Sequence, residues 1–425
     1  MCRFPATTLM MYLRFILVSI LSLLAKANPK FDIISKKEIE VRRSLSECII
    51  EASKRFFNSD IETVTFSLPL KEVNGDVASP VTLNQLVLPI FESEARWALI
   101  IKNLSLPVQN AHIYATKSNS YIIQLREHDE FKENIRKLKT FYSWNPHARF
   151  LVISVKEFSN PHSAAVEVIQ YLWENNVINV AVLLVDADNR KEYKVYSWEP
   201  YSNFSCGNNF SRTHIIDRCS HGIIQSNKSW FEGKISKPLY NCSVKVNYVL
   251  WPPFVTDVKD GYQISNYNKN QGIDINLMNM IATILNLYVI YDKTAYENWG
   301  VVYDDRTATK DLKLLLENKL DVVIGGYGIT YPRYVFLDCS RSYIQERLVW
   351  CVPHEPLEKK KESIYCTKDK ILSFPINMIM RKGFPLYNLF DDIIIRIISS
   401  GFIAKWEKDS LERKKAEYDE SVYEE

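Results

Sequence analysis

The sequence predicts an α/β protein built as two units in series, and three observations carry that prediction. Short apolar runs of strand length alternate with amphipathic helical stretches through most of the chain. The alternation lapses once, over 202–243, where asparagine and serine become frequent and apolar periodicity fades. At 425 residues, 47% of them hydrophobic and 24% charged, the chain is long enough for more than one core.

The elements follow in order. Arg3 and Arg14, the apolar run FILVSILSLL and the closing Ala25-Lys26-Ala27 read as a secretory signal peptide over 1–27. An N-terminal α/β domain is expected over 28–201, with helices over 49–57 and 163–175. Its strands are expected over 64–68, 97–101, 121–125, 150–155, 177–186 and 193–201. Residues 202–243 read as a glycosylated, cysteine-containing linker or loop. Five N-x-S sequons, at Asn103, Asn203, Asn209, Asn227 and Asn241, all precede Cys242 and fit an exported chain. Of eight cysteines, Cys2 leaves with the signal, so at least one of the remaining seven lacks a partner within the chain. Cys206, Cys219 and Cys242 are the disulfide candidates, with connectivity open.

The second unit opens with a strand over 244–249, ended by Trp251, Pro252 and Pro253. Asp274 is placed to cap a helix whose apolar face is Leu277, Met278, Ile281, Ile284 and Leu285. A strand over 287–291 follows. Thr309 is placed to cap a helix with Leu312, Leu315 and Leu316 inward. Val322, Val323 and Ile324 then run into Gly325, Gly326 and Gly328, where the backbone can take positive φ or be approached closely. Arg333 follows, either as a surface arginine or as a holder of a planar anion through two parallel hydrogen bonds. A strand over 344–352, a charged stretch over 354–372, a strand over 373–380 and a helix over 385–399 come next. Trp406 falls on a short helix, and 411–425 reads as an acidic, fraying tail.

Composition and motifs exclude several classes. Lys plus Arg total 53 against 50 Asp plus Glu, a net charge of +3 without a basic stripe, so no nucleic-acid partner is indicated. There is no nucleophile elbow, HExxH, Walker loop or CxxC, and GGYG is followed by no G-K-[ST]; neither an enzyme, a cofactor nor a metal is expected.

A series of weak motifs in a fixed order then resembles one family. The strand with WPPF, QGIDINLMNMIATILN, LENKLDVVIGGYGIT, YPRYVFLDCSRSY and the closing MRKGFPLYNLFDDIIIRIISSGFIAKW resemble the ligand-binding domain of ionotropic glutamate receptors. The nearer likeness is to the chemosensory ionotropic receptors of arthropods. The resemblance implies lobe one of a periplasmic-binding-protein-like, bilobed domain, with its first half over 244–353 and its return segment over 373–410. Residues 354–372 then stand where that family has its pore, membrane helices and second lobe. It also implies that Arg333 meets a ligand carboxylate, with Gly326 and Gly328 where glutamate receptors carry a proline and a threonine. Loss of that threonine hydroxyl disfavours glutamate and leaves a small organic acid or amine as ligand. Tyr296 or Trp299 would supply an aromatic wall, and Asp338 would be structural. The resemblance further implies co-receptor subunits and a plasma-membrane location for a full-length member. A chain without the pore would not conduct. It would be either a truncated channel subunit or a secreted binding or decoy protein, exported or retained in the endoplasmic reticulum.

Overall fold

The computed structural model describes residues 36–57, 62–68, 97–104, 116–154, 156–186, 192–201, 205–207, 209–235, 237–256, 271–294, 298–354, 363–367 and 371–423. The expected signal peptide, Asn203 and Tyr296 lie outside them, as does the side chain of Asn103. The chain divides into two compact units. The first is Met1–Leu172, Asn179–Trp198 and Phe210–Gly233; the second is Trp173–Ile178, Glu199–Asn209 and Lys234–Glu425.

The first unit is an α/β layer structure around one eight-stranded sheet. Helix α1 (Lys36–Phe56) precedes β1 (Thr63–Leu68), β2 (Ala98–Asn103) and β3 (Ser120–Gln124). Helix α2 (His128–Lys139), β4 (Arg149–Ile153), α3 (Pro161–Glu174) and β5 (Val180–Val185) follow. The unit closes with β6 (Glu192–Ser197), β7 (His214–Ser220) and β8 (Ile223–Ile224). The strand order is β2-β1-β3-β4-β5-β6-β7-β8, parallel as far as β5 and antiparallel beyond it. All six residues of β5, VAVLLV, are buried, as a strand covered on both faces requires. Leu45, Cys48, Ile49 and Ala52 make the buried stripe of α1 at helical spacing.

Two sequence expectations fail here for identifiable reasons. Helix α2 was not anticipated because HDEFKENIRKLK is mostly charged; its buried stripe is only Phe131, Asn134, Ile135 and Leu138. The 202–243 stretch is not simply a linker, since β7 and β8 extend the first sheet. Polar bonds stand in there for apolar periodicity. Asp217 accepts the indole N–H of Trp230 at 2.9 Å and the backbone N–H of Ser226 at 3.0 Å. Cys219 is bonded to Cys48 on α1, 171 residues away in sequence.

The second unit has a six-stranded mixed sheet. Its elements are β9 (Cys242–Tyr248), α4 (Ile273–Leu285), β10 (Leu287–Lys293), α5 (Lys310–Leu316), β11 (Val322–Gly328) and α6 (Tyr331–Phe336). After them come β12 (Asp338–Cys339), β13 (Ile344–Leu348), β14 (Cys351–His354), β15 (Ser363–Cys366), β16 (Leu372–Met380), α7 (Tyr387–Ser399) and α8 (Phe402–Tyr423). The order is β10-β9-β11-β16-β12, with β13 also on β16. Strand β16 is therefore a return strand: it runs antiparallel between β11 on one side and β12 and β13 on the other. Helix α4 buries Ile273, Ile275, Leu277, Met278, Ile281 and Leu285, and α7 buries Phe390, Ile393, Ile394 and Ile397 in the same core.

The expected single strand over 344–352 is two strands. With β15 and β16 they form an antiparallel ribbon that brackets the charged stretch, and Cys351–Cys366 bridges it. The expected acidic tail is instead part of α8, whose helix continues to Tyr423. Its sequence is rich in helix-forming Glu, Lys and Ala, and Lys408 pairs with Glu412 one turn on at 3.6 Å. Among the described residues no helix is long and apolar enough to cross a membrane.

All three cysteines expected in disulfides are bonded, in Cys48–Cys219 and Cys206–Cys242, and Cys339 belongs to none of the three bridges. Non-reducing peptide mapping should recover these bridges and find Cys339, alone among the cysteines of the described residues, alkylated. Replacing Cys48 and Cys219 together by serine should lower stability by up to about 5 kcal/mol in denaturant melts, because the bridge closes a very long loop.

Candidate functional site

The glycine-rich stretch is a bulge in β11. Pairing with β16 steps from Val323↔Ile379 to Tyr327↔Asn377, so two extra residues stand on the β11 side. Gly325 and Gly326 both have positive φ, at 118° and 73°. A Cβ on Gly325 would lie 2.4 Å from the Val249 carbonyl oxygen, and one on Gly326 would lie 2.9 Å from the Phe254 ring. Only glycine fits either place.

The bulge releases two backbone N–H groups from the ladder, and a single carboxylate takes both. Oδ2 of Asp274 accepts from Gly325 at 2.8 Å and from Gly326 at 3.0 Å, while Oδ1 accepts the Tyr343 hydroxyl at 2.8 Å. Asp274 is fully buried on α4. It was expected to cap that helix; Gly272 occupies the cap position and Asp274 reaches across to β11 instead. Thr309 likewise makes no side-chain cap and accepts the Val301 N–H at 2.9 Å. Burial raises the Asp274 pKa to about 6, with the Gly326, Tyr343 and Gly325 hydrogen bonds pulling it back.

Arg333, in α6, is 8% exposed. Its Nη1 donates to the Gly328 carbonyl at 2.7 Å and its Nη2 to the Gly300 carbonyl at 2.8 Å. Its guanidinium carbon lies 5.4 Å from the Tyr327 ring centre. The indole N–H of Trp299 donates to the Gly325 carbonyl at 2.7 Å, so the loop through Trp299 and Gly300 is fastened to the bulge at two points. Trp251 packs edge-on against Trp299, with ring centres 4.7 Å apart, and is 46% exposed.

Four of the expected ligand contacts thus meet: Arg333, Gly326, Gly328 and Trp299. Asp338 accepts the Gly383 N–H at 2.7 Å and faces Lys382 at 3.6 Å, a turn-fastening arrangement. Asp274, Tyr343, Trp251 and Gly300 were not anticipated as parts of this site. The signal for Asp274 was present, as one acid inside the apolar run QGIDINLMNM. Partners so far apart in sequence leave no local trace.

Among the described residues no carboxylate pairs with Arg333, and its Nε is buried without a hydrogen-bond partner. Burial lowers its pKa, with small opposing effects of Tyr327 and Cys339. Two carbonyl dipoles orient the cation but do not neutralise it. A guanidinium has five N–H donors, so each Nη retains one beyond its carbonyl bond. Chemically this is a preoriented positive charge held between the bulge and the loop that Trp299 fastens to it.

Residues 39–237, somewhat under half of the chain, match the family model described as putative ionotropic receptor, ligand binding domain. That match ends before the stretch beginning at residue 244 that carries the binding-domain resemblance. A comparison with curated proteins gave no match. Among solved structures, an ionotropic glutamate receptor ligand-binding domain of Mnemiopsis leidyi in complex with D-serine is similar at 13% identity and a TM-score of 0.34. A Pleurobrachia bachei receptor ligand-binding domain with glycine is similar at 14% and 0.33, and the Drosophila muscle receptor GluRIIB with glutamate at 10% and 0.34. Each likeness covers 40% of this chain and 98% of the other.

Asp274 generates a sharp prediction. Its folded pKa of about 6 lies above the ordinary aspartate value near 3.9, so the folded state binds the extra proton between them. Stability should therefore fall as pH rises from about 4 to about 6, by up to about 3 kcal/mol. Asp274→Asn, whose amide can accept from both glycines and donate to Tyr343, should fold and flatten that dependence in melts recorded across the range. Asp274→Ala strands three buried polar groups and should cost at least about 3 kcal/mol.

Proposed function

We propose that this chain is the extracellular ligand-binding portion of an ionotropic receptor of the glutamate-receptor-like kind, and that its second unit holds a small carboxylate at Arg333. The observation that carries this reading is the buried, preoriented guanidinium of Arg333, which has no carboxylate partner among the described residues. A buried cation without a counter-charge is costly, and an incoming anion removes that cost. An organic amine would add a second positive charge, so the acid is the ligand class of choice. Gly326 lets Phe254 and Trp251 pack against the bulge, and the Trp251–Trp299 pair offers an apolar wall to the rest of the ligand. The family match over 39–237 supports the receptor class.

The proposed setting is chemosensory and extracellular. Asn209, Asn227 and Asn241 are exposed, as N-glycosylated residues must be, and the N-terminal apolar run supports export. A full-length form would work with co-receptor subunits. One specific observation favours the second reading, a secreted binding or decoy form. In place of pore and second lobe, the chain returns to β16 through a ribbon bridged by Cys351–Cys366. One lobe leaves its ligand facing water on one side, so millimolar affinity is expected.

The test is a tryptophan-fluorescence titration of the full chain with acetate, butyrate, glycine and L-glutamate. A saturable response to at least one of these acids is expected, absent with the matching methyl ester and with butylamine. Arg333→Ala should abolish it and Arg333→Lys should weaken it about tenfold, because lysine keeps the charge but loses the planar fork. Undiminished acid responses in Arg333→Ala would remove Arg333 from the site.

A further inference from the structure

The ribbon that brackets the charged stretch carries an apolar stripe that the core of the second unit does not use. At its base, where β13 pairs with β16, Ile376 lies in that core, and Ile344 and Phe374 pack against it. Side chains alternate along a strand, so the same face runs outward through the Leu348↔Leu372 pair and on to Trp350 and Val352. The Trp350 carbonyl accepts the Thr367 N–H at 2.8 Å, and Cys351 and Val352 pair with Cys366 and Tyr365, so the two chains stay together along this length. The apolar pattern continues past the core, but burial does not. Leu348, Trp350, Val352 and Leu372 are 51%, 68%, 54% and 55% exposed.

Single exposed apolar residues are ordinary; four on one face of a two-stranded ribbon form a patch. Together they offer roughly 450 Å² of surface. Charge selects no partner of opposite sign, because Glu346 and Arg347 flank the stripe and 355–362 carries three glutamates against three lysines. An anionic lipid surface or a nucleic acid would call for a basic excess. A face of balanced sign, apolar along its middle, matches a copy of itself. Two copies would bury about 900 Å², the size of weak, exchanging contacts and less than that of permanent dimers. A partner's ribbon laid on this face would also give a marginal two-stranded element a second layer.

We propose that this stripe is a homodimer surface, on which a second copy of the chain docks its own ribbon antiparallel about a two-fold axis. The two Trp350 indoles then meet near the axis, and Leu348 of each copy faces Val352 of the other. The surface is distinct from the Arg333 site, and the inference does not depend on what that site binds.

Sedimentation velocity of the full chain, from about 1 to about 200 µM, tests this. A monomer–dimer equilibrium with a dissociation constant on the order of 10–100 µM is expected. Trp350→Ser, at an exposed position, should keep the melting temperature and weaken dimerisation at least about tenfold. Ile223→Ser removes a residue of the first unit that is 70% exposed and should change nothing. Leu348→Lys and Val352→Glu should each be monomeric alone and dimerise on mixing, since the lysine of one chain meets the glutamate of the other. A chain that stays monomeric throughout, dimers that survive Trp350→Ser, equal weakening in Ile223→Ser, or no dimer on mixing would each overturn the proposal. So would a monomer that floats with phosphatidylcholine vesicles, which would give the face to lipid instead.

Discussion

The second unit depends on one carboxylate. A two-glycine bulge is unfavourable on its own terms, because it removes two N–H groups from the ladder inside a dry core. Asp274 answers both with one oxygen and holds Tyr343 with the other. That bond set ties α4, β11 and the chain beyond α6 to one point. Everything at the site is referred to it: Trp299 donates to the carbonyl of Gly325, and Arg333 closes the far end of the bulge at Gly328. The raised pKa of Asp274 is the cost of placing an acid there, and the fastened bulge is what that cost maintains.

The return strand is the second constraint. Strand β16 lies inside the sheet, so the core of this unit is incomplete until the chain has gone out along β13 and β14 and come back. The excursion is a two-stranded ribbon, a form that is marginal alone in water, and the Cys351–Cys366 bridge supports it. Leu348, Trp350 and Val352 on this ribbon are all more than half exposed. Burial of β16 between β11, β12 and β13 makes the residues on either side of the charged stretch one folding unit.

Legibility followed the range of the interactions. Strand β5 was plain because VAVLLV is a continuous apolar run, and β16 because SFPINMIM is strand-like between a charge run and a glycine turn. Helix α2 was obscured because three apolar residues in twelve carry its buried face, and α8 because a charged tail reads the same whether helical or frayed. Strand β7 was lost among sequons and serines; the bonds that hold it, Cys48–Cys219 and Trp230–Asp217, join residues that sequence spacing does not relate.

At the site, the amino-acid string by itself determined that Gly325, Gly326 and Gly328 would allow close approach and that Arg333 would stand near them. Those properties belong to single residue types and short spacings. Only the tertiary structure decided that Asp274 would serve the bulge rather than cap its helix, that Gly300 and Gly328 would orient the guanidinium, and that no carboxylate among the described residues would neutralise it. The physical reason is that hydrogen bonding and charge pairing in a low-dielectric interior are settled by neighbours in space. Here those neighbours lie 51 residues from Asp274 to Gly325 and 33 from Arg333 to Gly300.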